Sequence, residues 1–455
     1  MTEKGEALPY DKGDKQSIYH YALDLRGSTL REKSDAEQVA DIRRNKGSFG
    51  NAVEYYYFSI DNNSDSAPDF KEAGIELKTT PLKRNKDGSL SSKERLVIGM
   101  IDYMEVVNET FETSHMVEKA EDILLISYLW EPETDPLDYR IELVEMVDLK
   151  GLPEGDLTQI KDDWETVVDK VRDGRAHEIS GSDTLYLEAC TKAANSSVRR
   201  KQPFSDIEAK PRAWALKASF MTAMSNRLIE NMQAIGRGEG EGAMTLIELV
   251  RSRFAPYFGL TEAELGARFG YGKEGRRKPK NLCALITRRI FGVSDDAKIE
   301  EFEKAGIVPK TMRIKRSGMP KESMSFPRFD YFELAETPYE DSDFASYMGQ
   351  KYLFVVYRED GAGEYRLSDV ALWQMPEDDV DEAERCYEEM RRRVIEGRAQ
   401  NSVRSTENRC CHVRPHGRDS KDTLPTPQGD MVVKKCFWLN AGYLKGEVER
   451  ITKRS

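Results

Sequence analysis

The sequence contains no long hydrophobic run. No segment approaches the roughly 18 apolar residues of a membrane-spanning helix, and the mean hydropathy is -0.66. The first residues, Met1 to Glu6, are mostly polar and no apolar run follows them, so no secretory signal is visible. We therefore expect a cytoplasmic protein without a membrane partner.

Cysteine is also scarce. The 455 residues include six cysteines, and no two of them form a C-x-x-C pair. A framework of disulfides is improbable at this density. Cys410 and Cys411 are adjacent, which is poor geometry for two zinc ligands. The cysteines are therefore expected to be reduced thiols that pack in the interior.

The chain has no overall positive charge. Its formal net charge is -12, which taken alone argues against a nucleic-acid partner. The basic residues are clustered, however. Residues 191–217 hold seven Lys or Arg against two acidic residues, and residues 273–280 hold five against one. Such stripes either lie on a solvated surface or bind DNA, so DNA is not excluded.

One short segment carries a possible active site. Ile75 and Leu77 alternate with Glu76 and Lys78, as in a half-buried strand, so Glu76 and Lys78 are predicted to share one face. Asp69 precedes this strand by one turn. A short hairpin would therefore bring the Asp69 carboxylate beside Glu76.

Two carboxylates and a lysine in this arrangement can support cleavage of a phosphodiester by water. That reaction needs a metal ion near neutral pH, and Mg²⁺ prefers oxygen ligands. Asp69, Glu76 and the carbonyl of Leu77 would bind it. Lys78 would orient or deprotonate the water and offset phosphate charge, and Glu54 would be a further ligand of the metal or the water. A strand with salt-bridged side chains is the alternative interpretation, because the pattern is short.

The sequence contains an internal repeat. Phe70–Thr79 recurs as Phe302–Thr311, a shift of 232 residues. Matching segments in the same order are Gly27–Thr29 with Gly259–Thr261, Tyr139–Ile141 with Tyr365–Leu367, and Arg212–Lys217 with Lys435–Asn440. Such a long period indicates two related domains in tandem rather than a solenoid. Residues 236–242 alternate glycine with charge and read as a flexible linker, which places the domains at 1–235 and 243–455.

The second copy lacks part of the proposed site. It has Glu301, Val308, Pro309 and Lys310 where the first copy has Asp69, Glu76, Leu77 and Lys78. Glu54 also lacks a counterpart, since residues 281–294 contain no carboxylate. A proline at 309 predicts an edge or distorted strand. We expect that the second domain does not cleave.

Hydrophobic periodicity predicts a mixture of helices and strands. In the first domain the predicted elements are an N-terminal helix around Ile18–Leu25, a helix at 51–58, strands at 75–79, 96–100 and 123–128, and a helix at 157–173. The predicted fold class is α/β or α+β, and each domain would have a mixed central sheet flanked by helices. Strand order cannot be assigned from the sequence.

The first domain resembles the MutH and Sau-type endonucleases, which cut at GATC. The motifs that carry the resemblance are Lys46-Gly-Ser-Phe-Gly50-Asn-Ala-Val-Glu54, Asp69, Glu76-Leu-Lys78-Thr-Thr-Pro81, Gly88 with Glu94, Lys119 before Ile123-Leu-Leu-Ile, and Leu185-Tyr-Leu-Glu-Ala-Cys-Thr-Lys192-Ala-Ala-Asn195. It covers essentially the whole first domain and, more weakly, the second. The resemblance implies a fold like that of type II restriction enzymes, with two lobes that grip duplex DNA.

The resemblance also implies roles for individual residues. Glu54, Asp69, Glu76 and Lys78 would form a Mg²⁺ site, with Lys119 beside the active centre. Lys46 and Lys192 would meet DNA, and we include Arg199 and Arg200 from the same basic stripe. Where MutH relatives read bases with Arg-Pro-Lys, this chain has Cys190-Thr191-Lys192, which is closer to the Sau type.

The expected function is a type II restriction endonuclease that cuts both strands at 5'-GATC-3' with Mg²⁺. The second domain keeps Arg276, Arg277 and Arg414 as candidate DNA contacts, and the hypothesis is that it binds a second recognition site and regulates the first domain. Alternatively, it is only a packing or dimerisation partner. We expect a monomer in solution that can pair on palindromic DNA. A MutH-type nicking enzyme of mismatch repair and a DNA-binding regulator without nuclease activity are the alternative functions.

Overall fold

The protein was analysed as a computed structural model, which describes residues 8–34, 48–60, 68–85, 88–193, 195, 197–227, 231–271, 279 and 281–453. These residues form two compact units. The first contains residues up to 232 with 237–246 and 303–305, and the second contains 233–236, 247–302 and 306 onward. Within the described ranges no helix has the length and apolar character needed to cross a membrane.

The described helices and strands alternate along the chain. The helices are α1 (Lys15–Leu23), α2 (Leu30–Lys33), α3 (Ser48–Ala52), α4 (Tyr103–Val106), α5 (His115–Lys119), α6 (Glu154–Arg172), α7 (Ala218–Asn226), α8 (Leu246–Phe254), α9 (Glu262–Arg268), α10 (Leu282–Ile290), α11 (Glu300–Ala305), α12 (Tyr331–Glu336), α13 (Asp343–Gly349), α14 (Glu377–Ile395) and α15 (Ala441–Thr452). The strands are β1 (Glu76–Arg84), β2 (Leu90–Ser92), β3 (Leu96–Met100), β4 (Ile123–Leu129), β5 (Ile141–Val147), β6 (Leu187–Thr191), β7 (Arg200–Gln202), β8 (Ser205–Ala209), β9 (Arg212–Leu216), β10 (Met232–Gln233), β11 (Lys298–Ile299), β12 (Ile307–Ile314), β13 (Ser325–Arg328), β14 (Lys351–Glu359), β15 (Tyr365–Trp373), β16 (Cys411–Pro415), β17 (Thr423–Pro425), β18 (Met431–Val433) and β19 (Lys435–Leu439).

The first unit is built on two separate sheets. One has the strand order β2-β1-β4-β5, in which β1 runs parallel to β4 and β5 runs antiparallel to β4. The other has the order β3-β9-β6 and is antiparallel. The mixed sheet confirms the predicted fold class. It also places β1, which carries the candidate site, against the largely buried strand β4.

The second unit repeats this architecture. Strand β12 runs parallel to β14, β15 pairs antiparallel with β14, and a second sheet has the order β13-β19-β16. The matched sequence segments also make the same contact: the Gly27 amide donates to the Ile141 carbonyl at 2.8 Å, and the Gly259 amide donates to the Leu367 carbonyl at 2.8 Å. The tandem repeat is therefore confirmed as two related folds.

Pro309 lies where the sequence predicts. Within the described strands β12 pairs only with β14, so Pro309 removes no donor from a ladder on its other side. The first-domain strand is longer than predicted, because β1 continues from Thr79 to Arg84. Pro81 does not end it, since Pro81 pairs with Tyr128 in the parallel ladder.

An aromatic cluster covers the start of β1. Tyr21 stacks on Tyr57 with ring centroids 4.4 Å apart, and Phe58 meets Phe70 edge to face at 5.2 Å. Such pairs add to the free energy gained by burying apolar area. They fix the chain on both sides of the candidate site, because Tyr57 follows Glu54 and Phe70 follows Asp69.

Helix α6 anchors the beginning of β6. Its Asp163 side chain is 2% exposed, and its carboxylate accepts the backbone N–H groups of Leu185, Tyr186 and Leu187 at 2.8, 2.6 and 2.9 Å. A buried carboxylate is tolerated when such donors satisfy it. The contact positions the strand that leads to Lys192.

We expect Asp163→Ala to lower the free energy of unfolding of the first domain by about 3 kcal/mol or more, because it leaves three buried N–H groups unpaired. The measurement is the urea midpoint of that domain's transition. Asp169→Ala is the control on the same helix. Asp169 is exposed and pairs with Arg172 at 3.2 Å, so its loss should cost less than about 1 kcal/mol. Equal shifts for the two variants would refute the anchoring role.

Candidate active site

A tight turn brings Asp69 to the start of β1. Phe70 and Ile75 form a β-bridge, and the Gly74 amide donates to the Phe70 carbonyl at 2.8 Å. Gly74 has φ of +71°, which residues with a side chain rarely adopt. The Asp69 carboxylate then accepts the N–H of Leu77 at 2.8 Å, as the predicted hairpin requires.

Glu76 and Lys78 share one face of β1, as predicted. The Lys78 ammonium donates to Glu76 Oε1 at 2.5 Å, and about a quarter of each side chain is exposed, 28% for Lys78 and 24% for Glu76. Both groups therefore face a surface that a substrate can reach.

Glu54 approaches the same place from the preceding helix. The α-helix α3 changes to a π-helix at Val53–Tyr57, a feature frequent at functional sites. Gly50 lets this helix lie close to β1, because a Cβ at Gly50 would be 3.1 Å from Thr79 Oγ1. The predicted helix at 51–58 is thus confirmed, although it begins at Ser48 and ends in a wider turn.

The electrostatics show that these side chains form one cluster. Burial, together with the charges of Asp69 and Glu76 and against the opposing charge of Lys78, raises the pKa of Glu54 to about 7. Burial also raises the pKa of Asp69, against the lowering effect of the Leu77 amide. Three carboxylates with one lysine are therefore short of positive charge. A hard divalent cation fits this set of oxygen donors.

The ion pair between Lys78 and Glu76 must break before a cation can bind Glu76. Among the residues that the structure describes, no group of three His, Cys, Asp or Glu side chains is spaced to hold a metal ion. Lys78 instead neutralises Glu76. For Glu76 to act as a metal ligand, the Lys78 ammonium must turn away from it.

Lys119 lies in the wall of the same cleft. Together with Glu76 it lines a cavity of about 570 Å³. Its Cδ is 3.2 Å from the place where a Cβ would stand on Gly99, so the absence of a side chain at Gly99 makes room for the lysine. The predicted position of Lys119 beside the carboxylates agrees with this lining.

Sequence reasoning missed part of this cleft. Asp102, Glu105, Glu109 and Glu118 also line it, and Glu109 binds the exposed His115 ring. The spacing of Asp102, Glu105 and Glu109 is helical and could have indicated one acidic face. The cavity that Glu76 and Lys119 line therefore has more acidic than basic side chains.

The predicted DNA contacts are only partly within the structure. Lys192, Arg199 and Arg200 are exposed between the end of β6 and the start of β7. Lys46, Arg276 and Arg277 lie outside the described residues. Arg414 is exposed on β16, where its guanidinium stacks 3.6 Å from the centre of the Trp438 ring.

The second unit has a different arrangement at the matching positions. Val308 packs against the apolar core of the second unit. The Glu301 carboxylate accepts the Ile235 N–H with both oxygens at 3.0 Å. It has no Leu77 equivalent to bind, because Pro309 lacks an N–H. The acidic cluster of the first unit is not reproduced.

Comparison with known proteins gives matches over both domains. The family profile described as DNA mismatch repair enzyme MutH matches residues 58–163. The chain is 33% identical to the type II restriction enzyme Sau3AI of Staphylococcus aureus, over 96% of this chain and 98% of that protein. It is 27% identical to the DNA mismatch repair protein MutH of Serratia proteamaculans and 26% identical to that of Shewanella woodyi, over 48% of this chain and 96% and 94% of those proteins.

We expect Gly74→Ala to reduce metal-dependent DNA cleavage by about tenfold or more, because a shift of the turn misplaces Asp69. A side chain at this φ should also cost about 1 kcal/mol of stability. The matched control is Gly306→Ala, at the same place in the repeat with φ of +62°. It should lose similar stability but keep cleavage of a one-site plasmid within about twofold. Similar loss of cleavage in both variants would contradict a special role for the Asp69 turn.

Proposed function

The chain belongs to the family of the type II restriction enzyme Sau3AI and MutH, and we propose that its first domain cuts duplex DNA at 5'-GATC-3' with Mg²⁺. Membership makes the protein a site-specific endonuclease, a hydrolase that acts on DNA. The target sequence, the identity of the metal and the division of labour between the domains form the proposal.

The observation that carries the proposal is the convergence of Glu54, Asp69, Glu76 and Lys78 in one cluster. Each is set by backbone structure: a π-helix, a glycine turn clamped by the Leu77 N–H, and two alternate positions of one strand. An arrangement fixed in this way favours a working site over a chance surface pattern.

Asp69, Glu76 and the carbonyl of Leu77 would hold Mg²⁺, with Glu54 as a further ligand. When bound, the ion lowers the pKa of the attacking water and neutralises charge on the phosphate. The cluster fits the ion because it holds three carboxylates and one lysine. Burial and the neighbouring carboxylates Asp69 and Glu76 raise the pKa of Glu54, and a bound cation would offset that charge.

Lys78 and Lys119 would act on the phosphate and the water. Lys78, once released from Glu76, would orient the attacking water and offset charge that develops on the phosphate oxygens. Water attacks phosphorus as the bond to the leaving oxygen breaks. Lys119 lines the same cleft and would stabilise the phosphate from another side.

The same domain would grip the duplex through Lys46, Lys192, Arg199 and Arg200. Phosphate contacts of this kind set position and orientation, whereas contacts to base edges set sequence. The exposure of the last three residues around β7 supports this role. GATC is inferred from the resemblance of residues 46–195 to the MutH and Sau-type endonucleases.

We propose that residues 1–235 are the catalytic domain, that 236–242 link the domains, and that 243–455 bind DNA without cutting it. The loss of the acidic cluster at Val308 and Glu301 supports the inactivity of the second copy. Arg276, Arg277 and Arg414 would contact a second recognition site, and cleavage would prefer DNA with two sites. The chain would be a monomer that pairs on palindromic DNA.

A nicking enzyme of the MutH type is the main alternative. The MutH proteins of Serratia proteamaculans and Shewanella woodyi match about half of this chain while almost their full length is covered. The Sau3AI match extends over both domains, which favours the restriction enzyme. The complete cluster in the first domain argues against a regulator without nuclease activity.

We expect Glu76→Ala to lower cleavage of a GATC plasmid by at least about a hundredfold. The proposed metal ion loses a carboxylate ligand, and the charge of the transition state is then less well stabilised. Wild-type protein with Mg²⁺ should make double-strand breaks. Val308→Ala, at the matching position of the second domain, is the control and should cleave like the wild type. The products are separated by agarose electrophoresis.

The products also distinguish the alternatives. Nicked circles alone would indicate the mismatch-repair type of enzyme. Absence of cleavage by the wild type would leave the DNA-binding regulator. Breaks that persist in Glu76→Ala would place the active site elsewhere.

We expect a plasmid with two GATC sites to be cut faster than a plasmid of equal length with one site, because the second domain holds the second site. Arg414→Ala should reduce this preference. The control is Arg385→Ala, which removes an exposed arginine paired with Glu382 on α14 and should keep the preference. Equal rates on both plasmids with wild-type protein would refute regulation by a second site.

A further inference from the structure

The second domain retains a lysine at the position of the catalytic lysine. Lys310 on β12 pairs across the ladder with Phe354, as Lys78 on β1 pairs with Leu125. The two lysines thus occupy the same place on equivalent parallel strands. Lys310 is partly buried, so solvent and a ligand can still reach its side chain.

The surroundings of the two lysines differ in charge. Lys78 is bound to Glu76 at 2.5 Å. In the second domain the corresponding residue is Val308, which packs on the apolar core, and the Glu301 carboxylate is already bound to the Ile235 amide. Among the described residues the side-chain ammonium of Lys310 has neither a hydrogen-bond partner nor an ion-pair partner.

Burial disfavours the charged form of the Lys310 ammonium, and no acidic partner among the described residues offsets this. Burial therefore lowers the pKa of Lys310. The nearby Arg313 is different, because it is paired with Glu262 at 2.5 Å and with Glu322 at 2.9 Å. A partly buried cation without an acid is an unfavourable arrangement unless an anion binds it. The ligand must supply the negative charge.

We propose that Lys310 binds a backbone phosphate of DNA in the second domain, and that it does so without a divalent cation. The proposal depends on the proposed second DNA site and specifies its chemistry. A Mg²⁺ ion would find no carboxylate ligands at Val308 and Pro309. Binding of substrate is thus kept at this position, while the groups that would activate water are gone.

The test uses the full-length chain and a short duplex with one GATC site, in EDTA so that no cleavage occurs. Calorimetric titration should show two duplexes bound per wild-type chain. In Lys310→Gln the weaker or second event should lose about tenfold in affinity, the value of one charge-assisted contact. The dependence of its affinity on salt should fall by about one phosphate.

Two further variants control for effects of the substitution other than the loss of the Lys310 charge. Lys310→Arg keeps the positive charge and should restore most of the affinity. Lys445→Gln removes one charge from α15, where the ammonium donates to the Ser317 carbonyl, and should leave both binding events unchanged. Thermal unfolding of all variants shows whether the fold is kept.

A neutral methylphosphonate placed at successive positions of the duplex identifies the contact. One position should weaken wild-type binding about tenfold and leave Lys310→Gln unaffected, since the partner charge is already missing. If no position behaves in this way, or if Lys310→Gln binds the second duplex normally, the role of Lys310 is wrong. A second titration uses Glu76→Ala, which should not cleave, in Mg²⁺: if the second duplex binds there but not in EDTA, the metal-free chemistry is wrong. If the wild type binds only one duplex, the proposed second site itself fails.

Discussion

The hydrogen bond from the Leu77 N–H to the Asp69 carboxylate is the contact on which the candidate site depends. It joins Asp69, just before the tight turn, to the first residues of β1 just after it, so one backbone donor holds Asp69 near Glu76. Strand β1 is in turn held by the buried strand β4. The core thus positions β1, β1 positions the Leu77 N–H, and this N–H positions the Asp69 carboxylate.

The repeat shows what happens without that donor. Pro309 takes the place of Leu77 and cannot donate, and Glu301 is bound to the Ile235 amide instead. The sheet nevertheless keeps its order and its parallel pair. Architecture therefore depends on the apolar pattern and tolerates the change, whereas the site depends on single polar contacts. One fold can for this reason carry the acidic cluster in one copy and lack it in the other.

The sequence was sufficient to predict the alternation around Glu76, the hairpin to Asp69 and the tandem repeat, because these follow from local periodicity and from internal similarity. It could not predict the π-helix that carries Glu54, or that the acidic residues Asp102 and Glu105 line the same cavity as Glu76, because both features arise from tertiary packing. The contact of Asp163 with the start of β6 also depends on tertiary packing.

Asp163 caps the start of β6, yet the equivalent position on α14 is Cys386, and Asn408 accepts the amides of Cys410 and Cys411 instead. Two residues from different places in the fold thus perform one task. Sequence comparison of the repeats cannot detect such an exchange.

The ion pair between Lys78 and Glu76 occupies both charged groups, although the cluster as a whole has more carboxylates than lysines. A phosphate that attracts Lys78 leaves Glu76 without a partner, and a cation that attracts Glu76 leaves Lys78 free for a phosphate. Each ligand thus removes an obstacle to the other, and thermodynamic linkage makes their affinities rise together. In the proposed mechanism the metal ion and the DNA phosphate would therefore bind together, so that a complete hydrolytic centre would form only on DNA.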